Sequence, residues 1–446
     1  MSARGLILAA PASGAGKTVL TLAVARALTR RGLRVALAKS GPDYIDAGFH
    51  AAASGRPAIN LDAWAMPADT IRALVRRAGC DSDLVLCEGA MGLFDGVLDA
   101  GPDGGRVDAG STAELAALLG WPVVLALDLR GQGASAAAVA RGFVAHRAGV
   151  TVAALIGNRV GSPRHAALVR AALAELPVPL LGLVPRDPRL ALPERHLGLV
   201  PAGEHPSLPA FLDAAADLAA ETIDLDALVA LARPARAEGG EASPLPPPGR
   251  RVAIARDPAF AFAYDWMLAG WREAGSELVA FSPLADEAPD ATADAVYLPG
   301  GYPELYAGRL AGNARFLDGL RQAAERGAAV YGECGGYMVL GAALIDAAGA
   351  AHRMAGLLPL VASFAERRLH LGYRRAATLA PSPLGGAGAN FRGHEFHYAT
   401  VVEEGEGAPL FALADAAGAA LPPAGRVARH GRGLVAGSFL HLIAPA

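Results

Sequence analysis

Two α/β domains in series are what this sequence predicts, the first of them built on a parallel sheet. Three observations carry that prediction. Short apolar runs alternate with amphipathic stretches through the first half of the chain. A glycine-rich turn follows the first run and opens a helical pattern. Beyond a break rich in proline, glycine and alanine, the alternation begins again.

The first run, LILAAP (Leu6 to Pro11), reads as a buried strand. APASGAGKT (Ala10 to Thr18) then leads into VLTLAVARALTRRG, where Leu20, Val24, Ala27 and Leu28 recur at helical spacing and Gly32 supplies a stop. RVALAK (Arg34 to Lys39), DLVLCEG (Asp83 to Gly89), PVVLALD (Pro122 to Asp128) and TVAALIGN (Thr151 to Asn158) give further strands. Each ends in polar or glycine residues, and in a parallel sheet those ends share the edge where ligands bind. PARAEGGEASPLPPPGR (Pro234 to Arg250) has no apolar periodicity and reads as a linker. RVAIA (Arg251 to Ala255), AVYLPGG (Ala295 to Gly301) and AAVYGECGG restart the α/β pattern, and the last hundred residues are richer in short strands. The expected division is a first domain over 1–233, a linker over 234–249 and a second domain over 250–446.

Composition narrows the function classes. A length of 446 residues allows more than one core and more than one site. With 53% hydrophobic residues, 19% charged residues and a net charge of -3, nothing calls for a nucleic acid partner. Cys80, Cys87 and Cys334 are the only cysteines, an odd number without metal-type spacing, so neither a disulfide framework nor a zinc site is expected and the compartment is read as the cytoplasm. Cys80 and Cys87 read as small buried hydrophobes. The opening MSARGLILAAPASGA imitates a signal peptide but its apolar run is too short, and no segment is long and apolar enough to span a bilayer. Of 40 basic residues only Lys17 and Lys39 are lysine.

Gly14, Ala15, Gly16, Lys17 and Thr18 form a phosphate-loop pattern in the correct setting, strand before and helix after, with Pro11 where the strict pattern has glycine. Backbone N–H groups and the helix start would cradle phosphates, Lys17 would reach the β and γ groups, and the Thr18 hydroxyl would bind Mg²⁺. Phosphoryl transfer also needs carboxylates and a further cation. KSGPDYIDAGFH (Lys39 to His50) and CEGAMGLFDG (Cys87 to Gly96) start at strand ends on the same sheet edge. Lys39, Asp43, Asp46, Glu88 and Asp95 are therefore expected to converge on the γ-phosphate.

VYGECGGYMVLG (Val330 to Gly341) has the strand–turn–helix layout of a nucleophile elbow with sulfur at its tip. The helix start is expected to lower the Cys334 thiol pKa, and the Gly335 N–H to face a developing oxyanion. LPGGYPE (Leu298 to Glu304) offers Gly300 and Gly301 as further donors. Six histidines follow the linker: His352, His370, His394, His397, His430 and His441. Spacing does not choose a base among them, although RGHEFHY and GSFLHLI are the informative contexts and most of the rest are expected at the surface.

KSGPDYIDAGFH, CEGAMGLFDG, LIGNRVGSPRH and LPERHLGLVPA resemble the synthetase domain of the cobyrinic acid or hydrogenobyrinic acid a,c-diamide synthases of cobalamin biosynthesis, a fold of the dethiobiotin synthetase type. The resemblance implies that Thr18, Asp43 and Glu88 hold Mg²⁺, that Asn158 recognises the adenine of ATP, and that Tyr44, Asp46 and Asp95 face the tetrapyrrole carboxylate. The second half is similar to the class I glutamine amidotransferase domain in its cobyrinate-type variant, through PGGYPE, the Gly-x-Cys-Gly-Gly elbow and a terminal Ser-Phe-x-His. That similarity selects Cys334 as nucleophile and His441 as base. Other class I members carry an acid two positions after the histidine, where this chain has Ile443. The implied partners are a corrin polycarboxylate, glutamine and ATP, with no nucleic acid, no membrane and a homodimer left open. Cobyric acid synthase and a non-catalytic phosphate-loop switch are the rival readings.

Overall fold

The computed structural model describes residues 4–99, 105–190, 194–195, 198–199, 201–236 and 240–446. The chain divides into two compact units, Met1–Ala242 and Ser243–Ala446.

The first unit opens with β1 (Arg4–Ala9), α1 (Lys17–Arg30), β2 (Val35–Ser40), α2 (Tyr44–Ser54), β3 (Ile59–Leu61), α3 (Ala68–Cys80) and β4 (Leu84–Glu88). Its sheet runs β3, β2, β4, β1, then the strands Val123–Asp128, Val152–Val160 and Leu180–Pro185, every neighbouring pair parallel. A strand covered on both faces is a continuous apolar run, and β2 and β4 are buried throughout. Lys39 and Glu88 are the charged exceptions, and they are Cα partners across the β2–β4 ladder. α1 starts directly after Gly16, whose φ of 87° favours glycine, and buries Leu20, Val24, Ala27 and Leu28 as their spacing predicts. α2 is capped by Asp43, whose Oδ1 accepts the Ile45 and Asp46 N–H groups at 2.8 and 2.9 Å.

Cys87 is buried in β4, but Cys80 is exposed, contrary to expectation, because α3 ends there and turns its last residue to solvent. Arg233–Pro234 pairs antiparallel with Arg4–Gly5 of β1, and the Arg236 N–H donates to Leu119 O at 2.8 Å. On the other side of the division, Leu245 O accepts from Trp271 Nε1 at 2.9 Å and Gly249 O from Ser276 Oγ at 2.7 Å. Both ends of the stretch read as a linker are thus fastened to their own unit, and its residues 237–239 lie outside the described residues.

The second unit holds a ten-stranded mixed sheet and a smaller four-stranded one. In the larger sheet the order is as follows. Glu277–Phe281, Arg251–Ala255, Ala295–Leu298, Ala329–Glu333 and Gly433–Ser438 lie parallel in that order. Ala420–His430, Ala408–Asp415, His370–Thr378, Asn390–His397 and His441–Pro445 continue it antiparallel. After the short helix Gly335–Leu340 every regular element is a strand, as the residue pattern predicts. Phe260, Leu298, Phe316, Val330, Tyr337 and Leu340 belong to one buried core cluster. Among the described residues no helix is long and apolar enough to cross a membrane.

Candidate functional site

In the first unit the phosphate loop ends on two left-handed glycines, Gly14 and Gly16. A Cβ on Gly16 would come within 2.5 Å of Asn158 Nδ2, so the loop fits against that side chain only as glycine. Asn158 donates to Ala15 O at 2.9 Å, and its Oδ1 accepts the N–H of Arg159. Arg159 Nη1 reaches Gly14 O at 2.6 Å and Asp128 Oδ2 at 2.8 Å. Beside the loop lies a cavity of about 130 Å³, lined by Pro11, Ala12, Ala15, Leu127, Asp128 and Gln132 among others.

Five side chains close together under the loop. Thr18 Oγ1 donates to Glu88 Oε1 at 2.7 Å, and Lys39 Nζ donates to the same oxygen at 2.8 Å. His50 Nε2 meets Glu88 Oε2 at 2.6 Å, and Lys39 Nζ lies 2.5 Å from Asp46 Oδ2. Glu88 and His50 are fully buried, and Lys39 and Asp46 nearly so. Burial alone would raise the Glu88 carboxyl, but the Lys39 charge and the His50 hydrogen bond outweigh it and hold it well below the usual range. Burial opposes the Lys39 charge too, and Asp46 and Glu88 overcome it, leaving the ammonium firmly protonated. Asp46, raised chiefly by burial, sits at about 6.

Lys17 differs from Lys39. Burial and the nearby Lys39 lower it to about 8, and its Nζ is held by the carbonyls of Ala12 at 3.2 Å and Met91 at 2.5 Å. A cation held by carbonyls in place of anions is poised for an incoming phosphate. The loop bearing Asp95 packs on the phosphate loop, with Leu93 N–H donating to Ala10 O at 2.8 Å. Asp95 itself is exposed and turns back to accept the Gly92 N–H, and Tyr44 is half-buried as the first residue of α2. His50, Asn60 and Arg159 were not picked out from the sequence; Asn60 Nδ2 pins the β2–α2 turn through Gly41 O and Asp43 O. Five of the eleven residues of LPERHLGLVPA lie outside the described residues.

Whether Mg²⁺ suits this site turns on its donors. Thr18 and Glu88 present touching hard oxygens, and Asp43 caps the adjoining helix. Among the described residues no group of three or more His, Cys, Asp or Glu side chains is placed to hold a metal. A cation here would complete its shell from nucleotide phosphate and water, which is how Mg²⁺ is usually held, so the residues fit.

In the second unit Cys334 stands between the strand Ala329–Glu333 and the helix Gly335–Leu340 at φ 48°, ψ -103°, a conformation that strains any residue with a Cβ. Close approach requires the flanking glycines, since a Cβ on Gly336 would lie 2.0 Å from Leu298 O. The Cys334 N–H donates to Ser438 O at 2.8 Å, tying the elbow to the strand that precedes His441. A Cβ on Gly300 would lie 2.4 Å from His441 Cε1 and 3.4 Å from Cys334 Cβ, and one on Gly335 would lie 3.1 Å from Gly301 N. Cys334, His441 and the three glycines are therefore neighbours. The thiol is not lowered as expected: burial pushes it up, with the Glu304 carboxylate adding to that, and the Gly335 N–H does not offset them. The helix behind it is only six residues long.

The histidines sort by position. His441 is buried and stacks on His394, ring centroids 5.0 Å apart, and His394 Nε2 meets Tyr264 Oη at 3.2 Å. Burial holds both rings well below their ordinary values, His394 at about 3. His370 stacks on His397, while His352 meets Asp346 and His430 meets Leu357 O, so the residues expected at the surface are half-buried and held. Glu333, missed in the sequence reading, puts Oε2 3.9 Å from His441 Nδ1.

Residues 6–200 match the model of the CobQ/CobB/MinD/ParA nucleotide binding domain, and residues 251–446 that of the CobB/CobQ-like glutamine amidotransferase domain. The hydrogenobyrinate a,c-diamide synthase of Rhodobacter capsulatus is 56% identical over 99% of this chain and 99% of its own. Those of Mesorhizobium japonicum and Agrobacterium fabrum are 52% identical over 100% of both chains, and 49% identical over 100% of this chain and 99% of theirs. The chain belongs to the family of the hydrogenobyrinate a,c-diamide synthases.

Proposed function

We propose that this chain converts the a and c carboxylates of hydrogenobyrinate into amides, using ATP for activation and glutamine as the nitrogen source. The observation that carries the reading is the coexistence in one chain of the Lys17–Thr18–Lys39–Glu88 cluster and the strained Cys334 beside His441.

Gly14, Ala15 and Gly16 turn backbone N–H groups toward the phosphates, Lys17 leaves its carbonyls for the β and γ groups, and Asn158 holds the loop beside the base. Bound Mg²⁺, held by Thr18, Glu88 and Asp43, would neutralise charge on the γ-phosphate. Tyr44, Asp46 and Asp95 position the acceptor carboxylate, whose oxygen attacks the γ-phosphorus as ADP leaves. Lys39 balances the charge that develops. Ammonia then attacks the acyl phosphate carbon and phosphate departs, leaving the amide. One phosphate loop implies that the two amidations are successive turnovers.

Ammonia comes from glutamine. Cys334 sulfur bonds to the side-chain carbonyl carbon, Gly300, Gly301 and Gly335 receive the oxyanion, and His441 passes the thiol proton to the departing nitrogen. Water releases glutamate from the thioester. We read the cytoplasm as its compartment, since ATP and glutamine are supplied there.

The test is incubation with hydrogenobyrinic acid, ATP and either glutamine or ammonium salt, followed by mass spectrometry. Wild type should form mono- and then diamide with both donors, and Cys334→Ala with ammonium only. Absence of ATP-dependent amide with either donor would overturn the reading, and a Cys334→Ala protein that still hydrolyses glutamine would end the nucleophile assignment.

A further inference from the structure

Ile443, where other class I members have an acid, is a buried apolar residue and orients nothing. The acid next to the base comes from another element. Glu333 ends the strand Ala329–Glu333, one residue before the nucleophile, and is 2% exposed. Its Oε2 lies 3.9 Å from His441 Nδ1 and accepts the Tyr297 hydroxyl at 2.9 Å. Its Oε1 accepts the N–H of Leu442 at 3.3 Å, the residue following the base. The opposite ring edge faces the elbow, since a Cβ on Gly300 would be 3.3 Å from Nε2 and 3.4 Å from Cys334 Cβ.

We propose that Glu333 is the positioning residue of the glutaminase, holding His441 with Nδ1 protonated so that Nε2 is the proton carrier toward Cys334. The inference rests on the glutaminase reading above. As sulfur bonds to the glutamine carbonyl carbon, the thiol proton moves to His441 Nε2. The imidazolium thus formed is balanced by the Glu333 carboxylate across Nδ1–H, and the proton leaves with ammonia when the carbon–nitrogen bond breaks. A structural alternative exists: the same carboxyl could simply staple Tyr297 and Leu442 together.

The two are separable because glutamine is nearly isosteric with glutamate and keeps the staple. The titratable or charged groups facing the pair are Tyr297, Tyr331, His397, His394 with Tyr264 behind it, and Cys334 with Glu304 and Glu395 near it; Arg374 acts on His394. Burial raises the Glu333 carboxyl to about 8, against the hydrogen bonds it accepts. Glu333→Gln should lower kcat/KM for glutamine hydrolysis on the order of 100-fold, with ammonium-supported synthesis unchanged. Wild-type kcat/KM should rise as pH passes about 8, and that limb should be missing from the Glu333→Gln profile. Glu333→Asp should recover part of the rate and restore the limb. A Glu333→Gln protein within twofold of wild type, or one that keeps the limb, overturns the proposal while wild-type hydrolysis leaves the glutaminase reading standing. If wild type hydrolyses no glutamine, it is that reading which fails.

Discussion

Around Glu88 the first unit buries charges and pairs them; around Cys334 the second unit buries titratable groups and keeps them neutral. Lys39 pairs with Glu88 and Asp46 within hydrogen-bond distance, and His50 Nε2 meets the other Glu88 oxygen. Cys334, His394 and His441 are instead shifted by burial toward their uncharged forms, and Glu333 is raised the same way. The difference follows the chemistry each site is read to perform. Phosphoryl transfer needs fixed charge already in place, whereas thiol attack needs a proton to move only when the substrate arrives.

Removing the centre of the charged cluster should have the largest effect. Glu88→Ala leaves Lys39 short of one partner and His50 facing an empty site. Synthesis with either nitrogen donor should vanish, and stability should fall by about 3 kcal/mol or more in urea unfolding. A variant that loses activity at unchanged stability would show that the pairing does not support the fold, and the comparison would break.

The neutral site predicts a pH effect of intermediate size. His397, stacked on Phe439 and His370, is lowered by burial to about 3. Unfolded, the ring titrates near the ordinary histidine value of about 6.5, so between those pH values the unfolded chain binds a proton that the folded chain refuses. Stability therefore falls as pH falls through that window. His397→Phe should remove about one proton from the pH dependence of unfolding there, giving a shallower loss between pH values of about 6 and 4. An unaltered slope would mean that the ring is charged in the fold.

The smallest effect separates the thiols. Cys80→Ser should leave both reactions and stability unchanged, within about 0.5 kcal/mol. Cys80 is exposed and Cys334 enclosed, so brief alkylation of the free protein should label Cys80 first in peptide mapping. Faster labelling of Cys334 would show that its site opens readily.

Parts of this contrast were legible in the sequence. Two lysines among forty basic residues were expected at one phosphate site; Lys17 reaches Met91 O and Lys39 reaches Glu88, whose Oε1 also accepts from Thr18. Their partners were named by their place at strand ends. That Lys39 and Glu88 stand side by side depends on β2 and β4 being neighbours, which no spacing over 49 residues discloses. His50 left a faint signal, lying four positions after Asp46 on one face of α2. Glu333 left another, as the one charged residue in the strand AVYGE. The thiol pKa was misread because a helix start was weighed without the burial that overrides it, and burial is a property of the assembled core. Asn158, expected to recognise adenine, donates to Ala15 O and accepts from the Arg159 N–H, a pairing set by the register of distant strands.

The mutual pairing under the phosphate loop also bears on how such a protein can change. Each member of the Lys39–Glu88–Asp46–His50 set answers to another, so a single replacement strands a charge and sequence drift there meets a wall. Paths to a different acceptor acid would have to change two members at once. Tyr44, half-buried, and Asp95, exposed, stand outside that set, and on the reading that they position the acceptor a library aimed at new acceptors is best spent on them.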